Sequence, residues 1–497
     1  MNAIVRWLIL LFACPAVWAQ GNAWTRNGLD GLSISALAVD PHIPGTMYAG
    51  TNATPYGLTP PWAGLRIFKT TDGGAHWEGV SNGLPPAPAP GDQYKRVAHV
   101  RALVVDPSNP STVYASISSL YFAPGYVRDA PSVFKSADGG ANWSASDYGL
   151  PATIWDFDLA IDSSNPNTLY AASSGSNIEG VSFQVFKSTD GGASWIRAGD
   201  SPRISPDYGV PYNYHASLAI DPHNPGRVYV GLYNAGIFKS TDAGATWSEA
   251  ITGPLVSSPN SFLNMEHPLS GVSVIAIDPQ NSGIIYAGTA NFCGCSDEPI
   301  GTGLWKSSDG GANWTVANSF FPPGRSYGIT SLAIHPQSAG TLYISSWAGV
   351  FKSTDGGEDW NPFNEGLQGS NSSLVLSSSG VLYAGTPFGI FKVTDWIPVL
   401  SLHSEFCETS PWTVAVSNGA PNTTIRLAGI SNGQPWEVEA WGATDGNGRY
   451  MESGAFTPQV LGSHTLTVDV GGAHSNSVSF VVSDCELPGG GTNETLE

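Results

Sequence analysis

Short apolar stretches alternate with turn residues along most of this chain. One kind of stretch, typified by Leu-Ala-Ile-Asp-Pro, occurs in seven copies that begin at Leu37, Leu103, Leu159, Leu218, Ile275, Leu332 and Leu374. A second stretch follows each copy and carries a tyrosine, at Tyr48, Tyr114, Tyr170, Tyr229, Tyr286, Tyr343 and Tyr383. Runs this short, bounded by Asp, Pro, Asn and Gly, predict β-strands joined by tight turns.

A third stretch, such as Val-Phe-Lys-Ser, leads into an eight-residue box of the form Ser-Thr-Asp-Gly-Gly-x-x-Trp. The glycines permit positive φ, and the Ser and Asp side chains can bond turn amides, so each box is predicted to be a turn between a third and a fourth strand. We expect the aspartate of each box to be structural, because a residue that recurs at the same position of every repeat is usually part of the scaffold. These aspartates are Asp72, Asp138, Asp190, Asp242, Asp309 and Asp355.

Four short strands per unit are typical of a β-propeller blade. Seven of the chain's eight lysines occupy one repeat position, which indicates a structural slot: Lys69, Lys135, Lys187, Lys239, Lys306, Lys352 and Lys392. The seventh unit ends near Asp395 without a fourth strand, whereas Trp24–Leu29 resembles the segments that follow the boxes. The chain is therefore predicted to be all-β: a seven-bladed β-propeller with an N-terminal strand closing the last blade, followed by a small Ig-like β-sandwich.

The predicted domains follow from where the repeat starts and stops. Residues 1–19 read as a signal peptide, with a basic residue, an apolar run and a small-residue cleavage site. The propeller is placed at 20–395, an Ig-like sandwich of alternating strands at 396–486, and a Gly-rich disordered tail at 487–497. We therefore expect a secreted protein, extracellular or periplasmic.

Cysteine usage agrees with export. Cys407 and Cys485 bracket the predicted sandwich and are expected to form a disulfide. Cys293 and Cys295 are either a tight disulfide or free thiols, and the sequence leaves both open.

The charge balance restricts the partners. Lys and Arg total 20 against 40 Asp and Glu, a net charge of −20, which excludes nucleic acid as the main ligand. No integral membrane anchor is expected in the mature chain, because no later apolar run is long enough. Five of the six boxes contain a single carboxylate, too few for calcium, so neither a metal nor a cofactor is expected. We expect a monomer whose partner is a glycan or an extracellular protein.

Topology separates the two faces of the predicted ring. The Asp-Pro turns and the boxes share one face, so the variable loops lie on the other, and these loops are rich in aromatic residues that suit sugar rings or peptides. The candidate ligand-binding residues are Tyr126, Trp155, Tyr212, Tyr214, His215, Tyr327 and Trp347. A glycosidase needs two carboxylates, and the weak catalytic candidates are Asp156, Asp158, Asp207 and Glu266, from which no motif selects a pair.

The boxes resemble the Asp-box (BNR) repeat of sialidases, xyloglucanases, sortilin-type receptors and photosystem II assembly factors. In those proteins the box is a hairpin turn far from the ligand face. The sialidase signature fails here, since Arg203-Ile204 is followed by Ser205 instead of proline. Xyloglucanases of this lineage use two propellers and a cleft between them, so the one predicted here would need a partner. The arginine patch of the assembly factors and the disulfide-rich modules of the sortilins are absent from this sequence.

Two functions remain open on the sequence alone. The first is a noncatalytic recognition or scaffold protein that binds a polysaccharide or a protein through the aromatic loops. The alternative is a glycoside hydrolase, a xyloglucanase-like endoglucanase rather than a sialidase, that uses a carboxylate pair on the same face.

Overall fold

A computed structural model of the chain describes residues 23–52, 66–85, 97–120, 132–151, 156–173, 176–177, 180–181, 184–199, 216–232, 236–250, 271–290, 303–317, 328–338, 340–370, 373–394, 399–403, 411–417, 424–431, 434–443, 450–455, 462–470, 473–474 and 478–482. Within these ranges every regular element is a strand. Residues 24–399 form one compact unit, and the strands beyond Leu400 belong to a second.

The first unit contains seven four-stranded antiparallel sheets, the blades. In blades 1–6 the strands follow chain order from the first, innermost strand to the fourth. Their bounds are Ile34–Val39, Met47–Thr51, Ile67–Thr70 and Glu78–Gly79 in blade 1; Val97–Val105, Val113–Leu120, Val133–Ser136 and Ser144–Ala145 in blade 2; Asp158–Ile161, Leu169–Ser173, Gln184–Ser188 and Ile196–Arg197 in blade 3; Ala216–Ile220, Val228–Leu232, Gly236–Ser240 and Ser248–Glu249 in blade 4; Gly271–Asp278, Asn281–Ala290, Leu304–Ser307 and Thr315–Val316 in blade 5; and Ile329–Ile334, Leu342–Ser346, Gly349–Ser353 and Asn361–Pro362 in blade 6.

Blade 7 closes the ring with the N-terminal segment. Its strands are Ser373–Leu376, Val381–Thr386, Gly389–Thr394 and, as the fourth, Thr25–Arg26. Thr25 lies opposite Lys392 and Arg26 opposite Phe391. The first strand of each blade contacts the first strand of the next, including blade 7 against blade 1. The predicted all-β, seven-bladed propeller with its N-terminal closing strand is confirmed.

Adjacent blades pack closely because several second strands carry glycine where the neighbouring first strand approaches. A Cβ added at Gly50 would lie 2.4 Å from Val100, and one at Gly385 would lie 2.6 Å from Ile34. Gly288 meets Ile329 in the same way, at 2.7 Å. In these second strands the glycine follows the repeated tyrosine by two residues, and its lack of a side chain allows the contact with the next blade.

The tyrosines, lysines and box tryptophans also join the blades. Tyr114 Oη and Lys135 Nζ, both in blade 2, donate to the carbonyl of Gly191 in the box of blade 3, at 2.9 and 2.8 Å. Trp195 of that box donates its indole N–H back to Ser146 O of blade 2, at 2.7 Å. Tyr229–Lys239 and Tyr286–Lys306 make the same pair of bonds in later blades. The repeated lysine thus lies in an inter-blade contact.

Further strands follow the propeller. One sheet has three strands, Val399–His403, Pro411–Ser417 and Tyr450–Ala455. The other has five, Gln434–Ala443, Thr424–Ser431, Gly462–Val470, Ala473–His474 and Val478–Val482. Two short strands in blade 3, Ser176–Asn177 and Gly180–Val181, form a separate hairpin. The Ig-like assignment and the domain boundaries stay predictions, and Cys407, Cys485 and residues 1–19 lie outside the described residues.

Candidate functional site

Two kinds of turn identify one face of the propeller, and the variable connections lie on the other. In each of blades 1–6 a box amide donates to the turn between the first two strands, as Gly139 N donates to Ser111 O at 2.7 Å in blade 2. At the opposite face the first strands begin and the second strands end. We call this second face the loop face. It surrounds the mouth of the central channel, which the first strands line.

A charged cluster lies where the first strands of blades 3 and 4 begin, beside Arg101 in the first strand of blade 2. Arg101 Nε lies 3.4 Å from Asp156 Oδ1, and both side chains are about one-fifth exposed. The same guanidinium donates from Nη2 to Ala216 O at 3.1 Å. Asp158, two residues after Asp156, accepts from the backbone N–H of Leu218 at 2.8 Å. We call Arg101, Asp156 and Asp158 the channel-mouth cluster.

Local strand geometry places these side chains together. The register of the first strand of blade 2 shifts between Val100 and Ala102, so Arg101 occupies a β-bulge. In blade 3, Phe157 is buried and its carbonyl accepts from Ser116 Oγ at 2.5 Å. Because side chains alternate along an extended segment, Asp156 and Asp158 point away from the packed face that holds Phe157.

Serine fills the position of Asp158 in three other blades, as Ser217, Ser331 and Ser373. Ser217 Oγ accepts from Ile275 N, and Ser331 Oγ accepts from Leu374 N, each at 3.0 Å. Both serines precede the leucine of the first strand, as Asp158 does, and both bond the first strand of the next blade. A hydroxyl therefore suffices to brace neighbouring blades, and the carboxyl group at Asp158 is chemistry that the scaffold does not require.

The surroundings favour the neutral form of Asp158. Burial raises the pKa of its carboxyl above the ordinary value, while the Arg101 guanidinium and the Leu218 N–H lower it. The nearby Asp156 raises it further. The net direction is upward, so the cluster combines a carboxyl group that retains its proton to higher pH with a carboxylate paired to arginine.

Three of the residues predicted for the site are described. Asp156 and Asp158 are brought together with Arg101, whereas Trp347 lies in blade 6 with 42% of its surface exposed. The other predicted residues lie outside the described ranges: Tyr126, Trp155, Asp207, Tyr212, Tyr214, His215, Glu266 and Tyr327. Their roles stay predictions.

The box aspartates lie on the face opposite the channel-mouth cluster. Asp190 Oδ1 accepts from Ser188 Oγ and Ser194 N, at 2.7 and 2.9 Å. The hydrogen bonds from the Ser194 side chain and backbone, and then from Ser188, lower the pKa of Asp190 to about 2. Contacts of this kind support the structural role proposed for the six aspartates, and they leave no proton to donate at neutral pH.

Sequence reasoning did not select Arg101 from the cations, and it did not name Phe388, which lies in blade 7 with 41% exposure. A comparison of the bulge and brace positions across blades would have found Arg101 and Asp158, since both depart from the small residues found in other copies.

Among the described residues no group of three or more His, Cys, Asp or Glu is arranged to hold a metal ion. The described residues also contain no helix that is long and apolar enough to span a membrane.

Several xyloglucanases are similar to this chain over part of its length. One from Paenibacillus sp. is 31% identical over 318 residues, which cover 59% of this chain and 26% of the relative. A xyloglucanase from Acetivibrio thermocellus is 35% identical over 127 residues, 23% of this chain and 13% of the relative. A probable oligoxyloglucan-reducing end-specific xyloglucanase from Neosartorya fischeri is 31% identical over 157 residues, 31% of this chain and 17% of the relative.

Solved structures align with the chain at lower sequence identity. YCF48 from Cyanidioschyzon merolae aligns with 75% of this chain and 98% of its own, at 14% identity and a TM-score of 0.46. No protein-family model matches the chain. The chain matches at most 26% of the length of these three xyloglucanases. The sequence similarities favour the glycoside hydrolase alternative over the noncatalytic scaffold.

Proposed function

We propose that this protein is a secreted glycoside hydrolase that cleaves a neutral polysaccharide at the mouth of its propeller channel. The observation that carries the proposal is the carboxyl group of Asp158, which stands where blades 4 and 6 use serine and which lies beside Asp156 and Arg101. Partial similarity to xyloglucanases supports the same class of substrate.

The two carboxyl groups are assigned different roles. Asp158, whose pKa is raised, donates a proton to the departing glycosidic oxygen as the bond to the anomeric carbon breaks. Asp156, paired with Arg101, accepts a proton from the water that adds to that carbon. Two residues of extended chain separate their Cα atoms by about 7 Å. The carboxyl groups of an inverting acid and base lie about 6.5–9.5 Å apart, which these two side chains meet if they extend roughly in parallel.

The charge distribution favours an uncharged substrate. The net charge is −20, and seven of the eight lysines occupy the inter-blade position. An anionic polymer therefore meets a surface with few available cations, and its approach is opposed over long range.

The test compares the full mature chain with Asp158→Ser. Serine supplies in blade 3 the kind of hydroxyl that Ser217 and Ser331 use to bond the following blade, so the variant should remain folded. The release of reducing ends from xyloglucan and hydroxyethylcellulose should fall at least about 100-fold. Asp156→Asn should lose activity similarly. The matched control is Ser331→Ala, which removes an equivalent brace in blade 6 and should leave activity unchanged.

The outcomes separate the alternatives. Undiminished activity in Asp158→Ser would refute the assignment of the acid. Binding of either glucan without release of reducing ends from it would refute the hydrolase and support the recognition protein instead. Arg101→Met gives a further check: because Arg101 lowers the pKa of Asp158, its removal should move the alkaline limb of the pH profile to higher pH.

A further inference from the structure

Two exposed aromatic rings lie in corresponding turns of adjacent blades, Trp347 at the first and Phe388 at the second of the two turn positions. Trp347 lies in the turn between the second and third strands of blade 6, and Phe388 lies in the same turn of blade 7. Their surfaces are 42% and 41% exposed. Both turns lie on the loop face, which also carries the channel-mouth cluster.

The blade 6 turn is held by its own hydrogen bonds. Ser346 Oγ donates to Gly349 O and accepts from Ala348 N, both at 3.1 Å. Gly349 has φ of 113°, a value that L residues rarely adopt. Trp347 is thus presented by a two-residue turn with little freedom to change shape.

The blade 7 turn repeats this arrangement. Thr386 Oγ1 donates to Gly389 O and accepts from Phe388 N, both at 3.0 Å. The carbonyl of Phe388 accepts from Gly31 N at 3.1 Å. A Cβ added at Gly369 would lie 3.1 Å from the Phe388 ring, so this glycine leaves room for the ring in its observed position.

A single exposed apolar residue needs no explanation, but two rings on equally braced turns form a pattern. Adjacent blade sheets pack roughly 10 Å apart, so the two turns lie close enough for one extended ligand to contact both. Asp30, which precedes the Gly31 that donates to the Phe388 carbonyl, pairs with Arg26 at 3.1 Å. Together with the net charge of −20, these features suit an uncharged ligand whose flat apolar faces recur, which describes a neutral polysaccharide.

The position of the rings relates them to the proposed reaction site. In a ring of seven blades, a half-turn corresponds to three and a half blades. The channel-mouth cluster is centred on blade 3, so the boundary between blades 6 and 7 lies diametrically across the channel from it. A polymer that crosses the channel mouth would contact both places.

We propose that Trp347 and Phe388 form a stacking platform that binds a second segment of the same neutral polysaccharide, remote from the bond that is cleaved. This inference rests on the proposed function for the identity of the polymer. The platform supplies binding to long chains only, because a short substrate seated at the channel-mouth cluster does not reach across the channel.

The experiment measures binding separately from cleavage. The probes are xyloglucan and hydroxyethylcellulose polymers, tested by affinity electrophoresis and calorimetry on the Asp158→Ser chain, in which turnover is blocked. Adding Trp347→Ala and Phe388→Ala should weaken polymer binding about tenfold. Phe388→Tyr should retain it, because an aromatic face remains. The control is Ile43→Ala, which removes a 53% exposed apolar side chain from the opposite face and should change nothing.

Kinetics provide a second measurement. With Asp158 intact, the double alanine variant should raise KM for the polymer about tenfold and leave kcat for a short aryl glycoside unchanged. Polymer binding equal to that of the parent chain, or no binding of either polymer by the parent, would overturn the platform. If polymer binding depends on the two rings but no reducing ends are released, the result supports the platform and refutes the hydrolase.

Discussion

The closing strand of blade 7 gives the most direct test of the architecture, through Trp24. Its side chain is 3% exposed, its indole N–H donates to Phe363 O at 2.7 Å, and its ring packs edge-on against the Phe363 ring at 5.9 Å. Trp24 therefore repeats, from the N-terminus, the contact that box tryptophans make in the other blades. We predict that Trp24→Ala strongly destabilises the propeller.

The magnitude follows from the burial. About 200 Å² of buried ring at about 25 cal/mol per Å² gives roughly 5 kcal/mol, which is an upper estimate because the unfolded chain also buries some surface. The indole hydrogen bond contributes about 1 kcal/mol. Trp24→Ala should thus lower the free energy of unfolding by about 3–5 kcal/mol, and Trp24→Phe by about 1–2 kcal/mol, because it keeps most of the ring and leaves Phe363 O unpaired.

The assay is guanidinium unfolding followed by far-UV circular dichroism. Trp360→Ala is the internal reference, because Trp360 is 1% exposed and donates to Ala317 O in the same way. Ile43→Ala is the surface control and should change stability by less than about 0.5 kcal/mol. If Trp24→Ala costs no more than Ile43→Ala, the N-terminal strand does not close the ring as described.

Two further predictions concern the repeat. Hydrogen bonds from Ser194 and Ser188 lower the pKa of Asp190 to about 2, so the stability that its carboxylate contributes is present above pH 4 and is lost as the pH falls toward 2. Asp190→Asn should therefore flatten the dependence of the urea unfolding midpoint on pH between pH 4 and pH 2. An unchanged slope would contradict this assignment. Lys187→Met should lower the free energy of unfolding in urea by about 1 kcal/mol, because the 3.2 Å hydrogen bond from Lys187 to Ala243 O is lost while Tyr170 still donates to the same oxygen at 3.0 Å. A decrease well above 3 kcal/mol would show that Lys187 stabilises the fold through more than this hydrogen bond.

The fold could be predicted from the sequence because the same pattern of short apolar strands, turns and boxes recurs in successive blades. Strand order, the pairing of turns with boxes and the closure by Trp24 all follow from aligning one unit with the next. Contacts between blades are harder to predict, because the two contacting residues belong to different repeat units. The glycine at Gly50 has a simple meaning only when Val100 of the next blade is seen to approach it.

The candidate site was harder to predict, because its members come from three blades. Arg101 reaches Asp156 in the next blade and Ala216 in the blade after it, separations of 55 and 115 residues that no local motif records. Asp156 and Asp158 were predicted as candidates, but nothing in the sequence alone ranked them above other acids on the loop face. Phe388 could not be predicted from the long variable loops, because it lies in a two-residue turn.

Departure from the repeat is the better guide to function in such a chain. Positions that are identical in all copies are accounted for by contacts within and between blades, as the bonds of Lys135 to Gly191 and of Asp190 to its own turn illustrate. Those contacts also use most of the lysines, which leaves the surface acidic. Where a copy differs, as Asp158 differs from Ser217 and Ser331, the scaffold gains nothing from the change. The proposed reaction gives this difference a role, because a raised carboxyl pKa at a channel mouth is a property that a glycosidic oxygen can use.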